Sequence, residues 1–68
     1  TYRELRRKLR ALGREFESQA RGSHEIWRNP ATAGRTTIPN WGSKDLRVGT
    51  IAVILRDLHL DRADFDRA

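Results

Sequence analysis

Residues 13–39 read GREFESQARGSHEIWRNPATAGRTTIP, and the change of period inside this stretch decides the fold. From Arg14 to Ala20 the chain alternates loosely around Phe16 and Ser18, and Gly22-Ser23 is a turn signal. His24 to Asn29 is a second extended run, with Ile26 and Trp27 as strand-favouring residues. Alternation puts His24, Ile26 and Arg28 on one face and Glu25 and Trp27 on the other. Each face carries an apolar residue, so the pattern does not select the buried one. Asn29-Pro30-Ala31-Thr32-Ala33-Gly34 is turn chemistry, which returns the chain as a third short strand over Arg35 to Pro39.

Both flanks of this stretch are helical. Thr1 and Glu4 have capping-box spacing, and Tyr2, Leu5, Leu9 and Leu12 form one stripe at intervals of three and four, closed by Gly13. Asn40 to Lys44 reads as a loop. Helical spacing then resumes from Val48 to Leu58 through Ile51, Ile54 and Leu55, with Gly49 near its start as a point where backbone can approach another group closely. Asp61 caps a last short turn, with Leu60 and Phe65 as a hydrophobic staple. The resulting order is α-β-β-β-α plus a short terminal helix. It fits an α+β domain, a three-stranded antiparallel sheet covered on one face by two helices.

Sixty-eight residues, 37% of them apolar, make one domain over residues 1–68 with one small core. No Cys is present, which excludes disulfides and thiolate chemistry. The longest apolar run, Ile51 to Leu55, is far short of a membrane span, and no signal-peptide pattern is visible. A soluble, cytoplasmic protein is the expectation. The formal charge is +5 and twelve of the fourteen basic side chains are Arg, whose planar fork suits phosphate. Residues 1–22 are net +4, 23–56 net +3 and 57–68 net −2. A polyanionic partner follows from this balance as naturally as mere solubility does.

Few residues can carry chemistry. The acidic tail of Asp57, Asp61, Asp64 and Asp66 matches no metal loop, a zinc site would need His24 and His59 to converge from distant segments, and no phosphate-cradling glycine loop or hydrolase elbow appears. No metal and no cofactor is expected. His59, at a helix end, is favoured there by the helix dipole. His24 stands where the Arg21-Gly22-Ser23 turn enters a strand, beside backbone N–H groups, a hydroxyl and a guanidinium. RNA brings its own nucleophile, the 2′-hydroxyl, so a minimal RNA-cleaving site needs a base, cations for the phosphorane and a grip on the backbone. A neutral imidazole suits the first task, and Arg21, Lys44 and Arg47 are placed on turns or at a helix start to serve the others. A second proton-transfer group is not evident; water, Lys44 and Tyr2 all remain open.

The run Gly22-Ser23-His24-Glu25-Ile26-Trp27-Arg28-Asn29-Pro30, then Thr37-Ile38-Pro39, then Leu46-Arg47-Val48-Gly49-Thr50-Ile51 with Ile54-Leu55, resembles the HicA family of toxin ribonucleases. These are the small mRNA interferases of HicAB toxin–antitoxin pairs. The likeness covers nearly the whole chain. It implies a fold like the double-stranded-RNA-binding domain, His24 as the catalytic residue, cleavage of cellular mRNA that halts translation, and a HicB antitoxin that masks the site. Arg21, Gly22, Ser23, Arg28, Lys44 and Arg47 are then the expected RNA contacts, with an acidic antitoxin surface meeting Arg21, Arg28 or Arg47. The chain departs from the family at Val48, where Pro often opens the second helix, at His59, where Gly often ends it, and at the bulky Trp41, which either stacks on a base or packs in the core. Two other classes compete: a non-catalytic RNA-binding module on the same basic face, and a protein-binding domain whose Arg excess complements an acidic partner.

Overall fold

The first helix, α1 (Tyr2–Ala11), leads into strands β1 (Glu15–Gln19), β2 (His24–Arg28) and β3 (Arg35–Pro39), followed by α2 (Val48–Asp57) and a short α3 (Arg62–Arg67). The computed structural model describes residues 1–40 and 45–68. Trp41 and Lys44 lie outside the described residues. The strands form one antiparallel sheet in the order β1-β2-β3. This is the α+β arrangement that the change of period predicts.

The structure decides which face of β2 is covered. Glu25 and Trp27 are buried, while His24 and Arg28 are exposed and Ile26 is half-buried. Trp27 is fully enclosed in a core that takes Tyr2, Leu5 and Leu9 from α1, Ile38 from β3, Ile54 and Leu55 from α2, and Phe65 from α3. The helical stripes therefore do bury against one sheet face, as their spacing demands. Strand β1 differs from simple alternation. Phe16 lies opposite Trp27 but Ser18 lies opposite Ile26, with Glu17 as the extra residue of a bulge between them. The bulge turns Phe16 to the core face, edge-on to Trp27 at 6.1 Å, and Ser18 to the open face.

Helix ends are set locally. Thr1 Oγ1 accepts the Glu4 N–H at 3.3 Å, and Asp61 Oδ1 accepts those of Ala63 and Asp64. At the end of α1 the Gly13 N–H reaches the Arg10 carbonyl and the Arg14 N–H the Leu9 carbonyl, with Gly13 at φ 81°. At the end of α2, His59 repeats this Schellman pattern at φ 55°, its N–H on Arg56 and that of Leu60 on Leu55. Two details differ from the sequence expectations. Val48 is 75% exposed and leaves the apolar stripe at its first position. A Cβ on Gly49 would meet nothing within 4 Å among the described residues, so no close approach explains that glycine; the close approach is at Gly34, packed against the Asp57 carbonyl and the His59 ring. No described helix is long and apolar enough to cross a membrane.

The two long helices run in parallel. Tyr2 at the start of α1 donates to Glu25, next to His24 on β2, while Arg14 just beyond α1 reaches the Leu58 carbonyl at the end of α2. Asn29 and Thr36 also bind the end of α2, through Leu58 and Asp57. Both helix N-termini, the positive poles of their dipoles, therefore lie toward the end of the sheet that carries His24.

Candidate functional site

His24 opens β2 opposite Pro39 and is exposed. Its position is fixed from behind by the turn that precedes it. The His24 N–H closes this turn on the Arg21 carbonyl at 3.1 Å, with Gly22 first of the two central residues at φ 58°, a left-handed conformation that favours glycine. Gln19 at the end of β1 donates from Nε2 to the carbonyls of Gly22 (3.0 Å) and His24 (2.9 Å), and the Asn40 N–H donates to the Ser23 carbonyl at 2.7 Å. The carbonyls of Arg21, Gly22, Ser23 and His24 are thus all occupied. Among the described residues, the N–H groups of Arg21, Gly22 and Ser23 have no protein acceptor. Three successive unsatisfied N–H groups on an exposed turn favour an anion.

The ring itself is oriented. Nδ1 of His24 lies 3.2 Å from the Arg21 carbonyl oxygen. A carbonyl only accepts, so this contact is made with the proton on Nδ1, and the neutral ring then presents an unprotonated Nε2.

On the other face of β2, Glu25 accepts from Tyr2 O–H, from Trp27 Nε1 at 3.0 Å and from Asn40 Nδ2 at 3.2 Å. This buried carboxylate ties α1, β2 and the end of β3 together directly beneath His24. Burial, and then the bond to Glu25, push the Tyr2 phenol up to about 12. Its hydroxyl is committed to the interior, so Tyr2 is no proton donor for a substrate on the His24 face.

Of the six residues expected to contact RNA, Arg21, Gly22 and Ser23 adjoin His24 on one turn. Arg47 is exposed and precedes α2, at the same end of the sheet; it gives α2 no side-chain cap, and no acid stands in that helix's first turn. Neither Arg21 nor Arg47 has a carboxylate partner among the described residues. Arg28 shares the open face but lies four residues along β2, about 13 Å away, and is paired with Glu15 at 2.9 Å. Lys44 is outside the described residues. His24 and His59 fall at opposite ends of β3, and among the described residues no three His, Cys, Asp or Glu side chains gather as metal ligands would. Sequence reasoning missed Gln19 and Asn40, whose roles depend on strand register and carry no local signature.

No curated protein matches the chain. The family described as the HicA toxin of bacterial toxin–antitoxin pairs matches residues 2–60 of the 68, from the first turn of α1 to just past α2. Its span takes in the His24 turn, the whole sheet and both long helices, and the chain belongs to this HicA toxin family.

Proposed function

We propose that the chain is the ribonuclease toxin of its pair, with His24 as general base. Nε2 takes the proton of a ribose 2′-hydroxyl, and the oxygen attacks the adjacent phosphorus. The P–O5′ bond then breaks, giving a 2′,3′-cyclic phosphate and a 5′-hydroxyl end, with water or Lys44 supplying the proton to the leaving oxygen. Charge on the phosphorane is met by the free N–H groups of Arg21, Gly22 and Ser23 and by the guanidinium groups of Arg21 and Arg47, aided by the positive ends of α1 and α2. Arg28 contacts the strand farther from the reaction, after exchanging Glu15 for phosphate. The observation that carries the reading is the contact between His24 Nδ1 and the Arg21 carbonyl, which leaves Nε2 free beside unsatisfied donors.

The substrate on this reading is mRNA, met in the cytoplasm, and the cognate antitoxin is HicB-like, with an acidic surface over His24, Arg21 and Arg47. A bound partner also adds stability by mass action to a core of this size. Incubation of purified protein with end-labelled RNA tests the proposal. Cleavage is expected to leave cyclic phosphate ends, to spare DNA and to persist in chelator. His24→Ala lowers the rate by about 10²- to 10⁴-fold, the usual contribution of a positioned base. Full activity in that variant overturns the assignment, and binding without any product favours a non-catalytic RNA-binding module.

A further inference from the structure

The basic side chains divide by what neutralises them. Arg28, Arg35, Arg56, Arg62 and Arg67 each pair with a carboxylate, respectively Glu15, Glu17, Asp57, Asp66 and Asp64. On α1 the pattern is different. Arg3, Arg6, Arg7, Lys8 and Arg10 make no ion pair among the described residues, and Glu4, the only acid on the helix, makes none either. Arg6, Lys8 and Arg10 lie over the rings of Tyr2, Phe65 and Trp27 at 5.5, 4.8 and 5.6 Å. An aromatic face orients a cation without cancelling its charge. Among the described residues, Arg7 reaches only the backbone oxygen of Ala68, at 3.4 Å.

Arg3, Arg7 and Arg10 are exposed and stand at i, i+4 and i+7, so they line one side of α1 over about 10 Å. That length meets successive phosphates of one strand. The stripe begins at the end of the molecule that carries His24, because Tyr2 is bonded to the neighbouring Glu25. The acids of α3 do not quench it, since Asp64 and Asp66 are already paired within their own helix. Among the described residues, the large apolar side chains left exposed (Phe16, Val48 and Val53) all lie off α1, which argues against a protein partner here. We infer that the Arg3-Arg7-Arg10 face of α1 is a second backbone-binding surface for single-stranded RNA, holding the strand beyond the scissile phosphate through its phosphates rather than its bases. The inference rests on the RNA-cleaving reading above, and the two fail separately.

The test is the salt dependence of binding to a fluorescent single-stranded 2′-O-methyl RNA, which has no free 2′-hydroxyl to react. The triple variant Arg3→Gln, Arg7→Gln, Arg10→Gln is compared with Arg56→Gln, Arg62→Gln, Arg67→Gln, which removes the same charge from paired positions. Each lost single-strand contact lowers the slope of log affinity against log salt by about 0.7, so the first triple loses about 2 and binds about tenfold or more weakly at low salt. The second triple and an Arg-to-Lys triple on α1 keep the wild-type slope. Should the glutamine triple not fold, Arg3→Gln, whose side chain has no partner among the described residues, carries the test with a change of about 0.7. A folded triple with an unchanged slope overturns the inference, as does an equal loss in the control. Cleavage by the wild type then leaves the His24 reading standing. Loss of affinity for an acidic antitoxin at an unchanged RNA slope likewise overturns it, in favour of a protein surface.

Discussion

Where α1 and α2 end, polar groups are saturated. The Leu58 carbonyl receives Asn29 Nδ2 at 3.0 Å and the Arg14 guanidinium at 3.0 and 3.1 Å, Arg14 also reaches the carbonyls of Leu12 and His59, and Gly34 is pressed against the turn that follows α2. Where the helices begin, Thr1 caps α1 and the carbonyls of the His24 turn are occupied, but among the described residues several donors are left open: three turn N–H groups have no acceptor, Arg21 and Arg47 have no carboxylate, and α2 has no side-chain cap. One end of the sheet spends its polar groups on the fold and the other keeps a set of donors available. Unsatisfied donors are tolerated at the second end because the turn is exposed and water can serve them until an anion does. Beneath that turn the buried Glu25 cluster is fully partnered, so the openness is confined to the surface.

The contrast predicts a separation of activity from stability. His24→Ala, the variant with the largest effect on rate, is expected to change folding stability by no more than about 0.5 kcal/mol, as an exposed side chain should. Thermal unfolding beside the cleavage assay checks this. A large fall in melting temperature would mean that the two ends are not separate in function.

Gly34→Ala probes the closed end. An added Cβ would lie inside contact distance of the Asp57 carbonyl oxygen and 2.9 Å from His59 Cδ2, and the first of these is backbone that cannot swing away. Overpacking of this kind costs about 1–3 kcal/mol, a large share of the roughly 3–5 kcal/mol available to a core this small. The melting temperature is expected to fall by about 10 °C or more. Cleavage per folded molecule, measured well below the transition, should stay near wild type.

Beneath the open end, Tyr2→Phe removes one donor to Glu25 and costs about 1 kcal/mol at neutral pH. Its pH signature is more telling. The phenol is raised from 10 to about 12 by burial and by Glu25, so the folded state holds this proton more tightly than the unfolded chain does. The stabilisation is whole below pH 10 and is lost as pH rises through about 12. Wild type should therefore lose stability across that window more steeply than Tyr2→Phe; parallel curves would mean that the hydroxyl is not held as described.

The element order was legible because it rests on local signals: the α1 stripe and its Gly13 stop, the Gly22-Ser23 turn, the Asn29 to Gly34 turn and the Asp61 cap. His24 stood out mainly through the resemblance carried by Gly22-Ser23-His24 and Asn29-Pro30, since an imidazole where a turn enters a strand is by itself more often structural or merely exposed. What sequence could not supply was register. Ile26 and Trp27 compete for the core on adjacent positions, and only packing against α1 and α2 chooses Trp27. The Glu17 bulge puts Phe16 and Ser18, which simple alternation keeps together, on opposite faces, the pairing of Arg28 with Glu15 needs β1 and β2 aligned, and the Gln19 clamp needs the turn folded. The close approach at Gly34 rather than Gly49 likewise depends on where the end of α2 meets β3.

The smallest effect concerns the two helix ends themselves. They use the same hydrogen-bond pattern, but Gly13 fills the left-handed position after α1 and His59 fills it after α2. A side chain there costs about 1–2 kcal/mol, and glycine returns roughly 0.5–1 kcal/mol of that through the freedom it adds to the unfolded chain. His59→Gly is thus expected to stabilise by some tenths of a kcal/mol, up to about 1. It also removes the ring that crowds Gly34 while leaving the Asp57 carbonyl in place. In the double variant with Gly34→Ala the loss should then be slightly smaller than the sum of the two single effects, because the residues share one contact. Strict additivity in a thermal double-mutant cycle would show that the Asp57 backbone alone sets the limit at Gly34, and destabilisation by His59→Gly would show that the imidazole packs there to advantage.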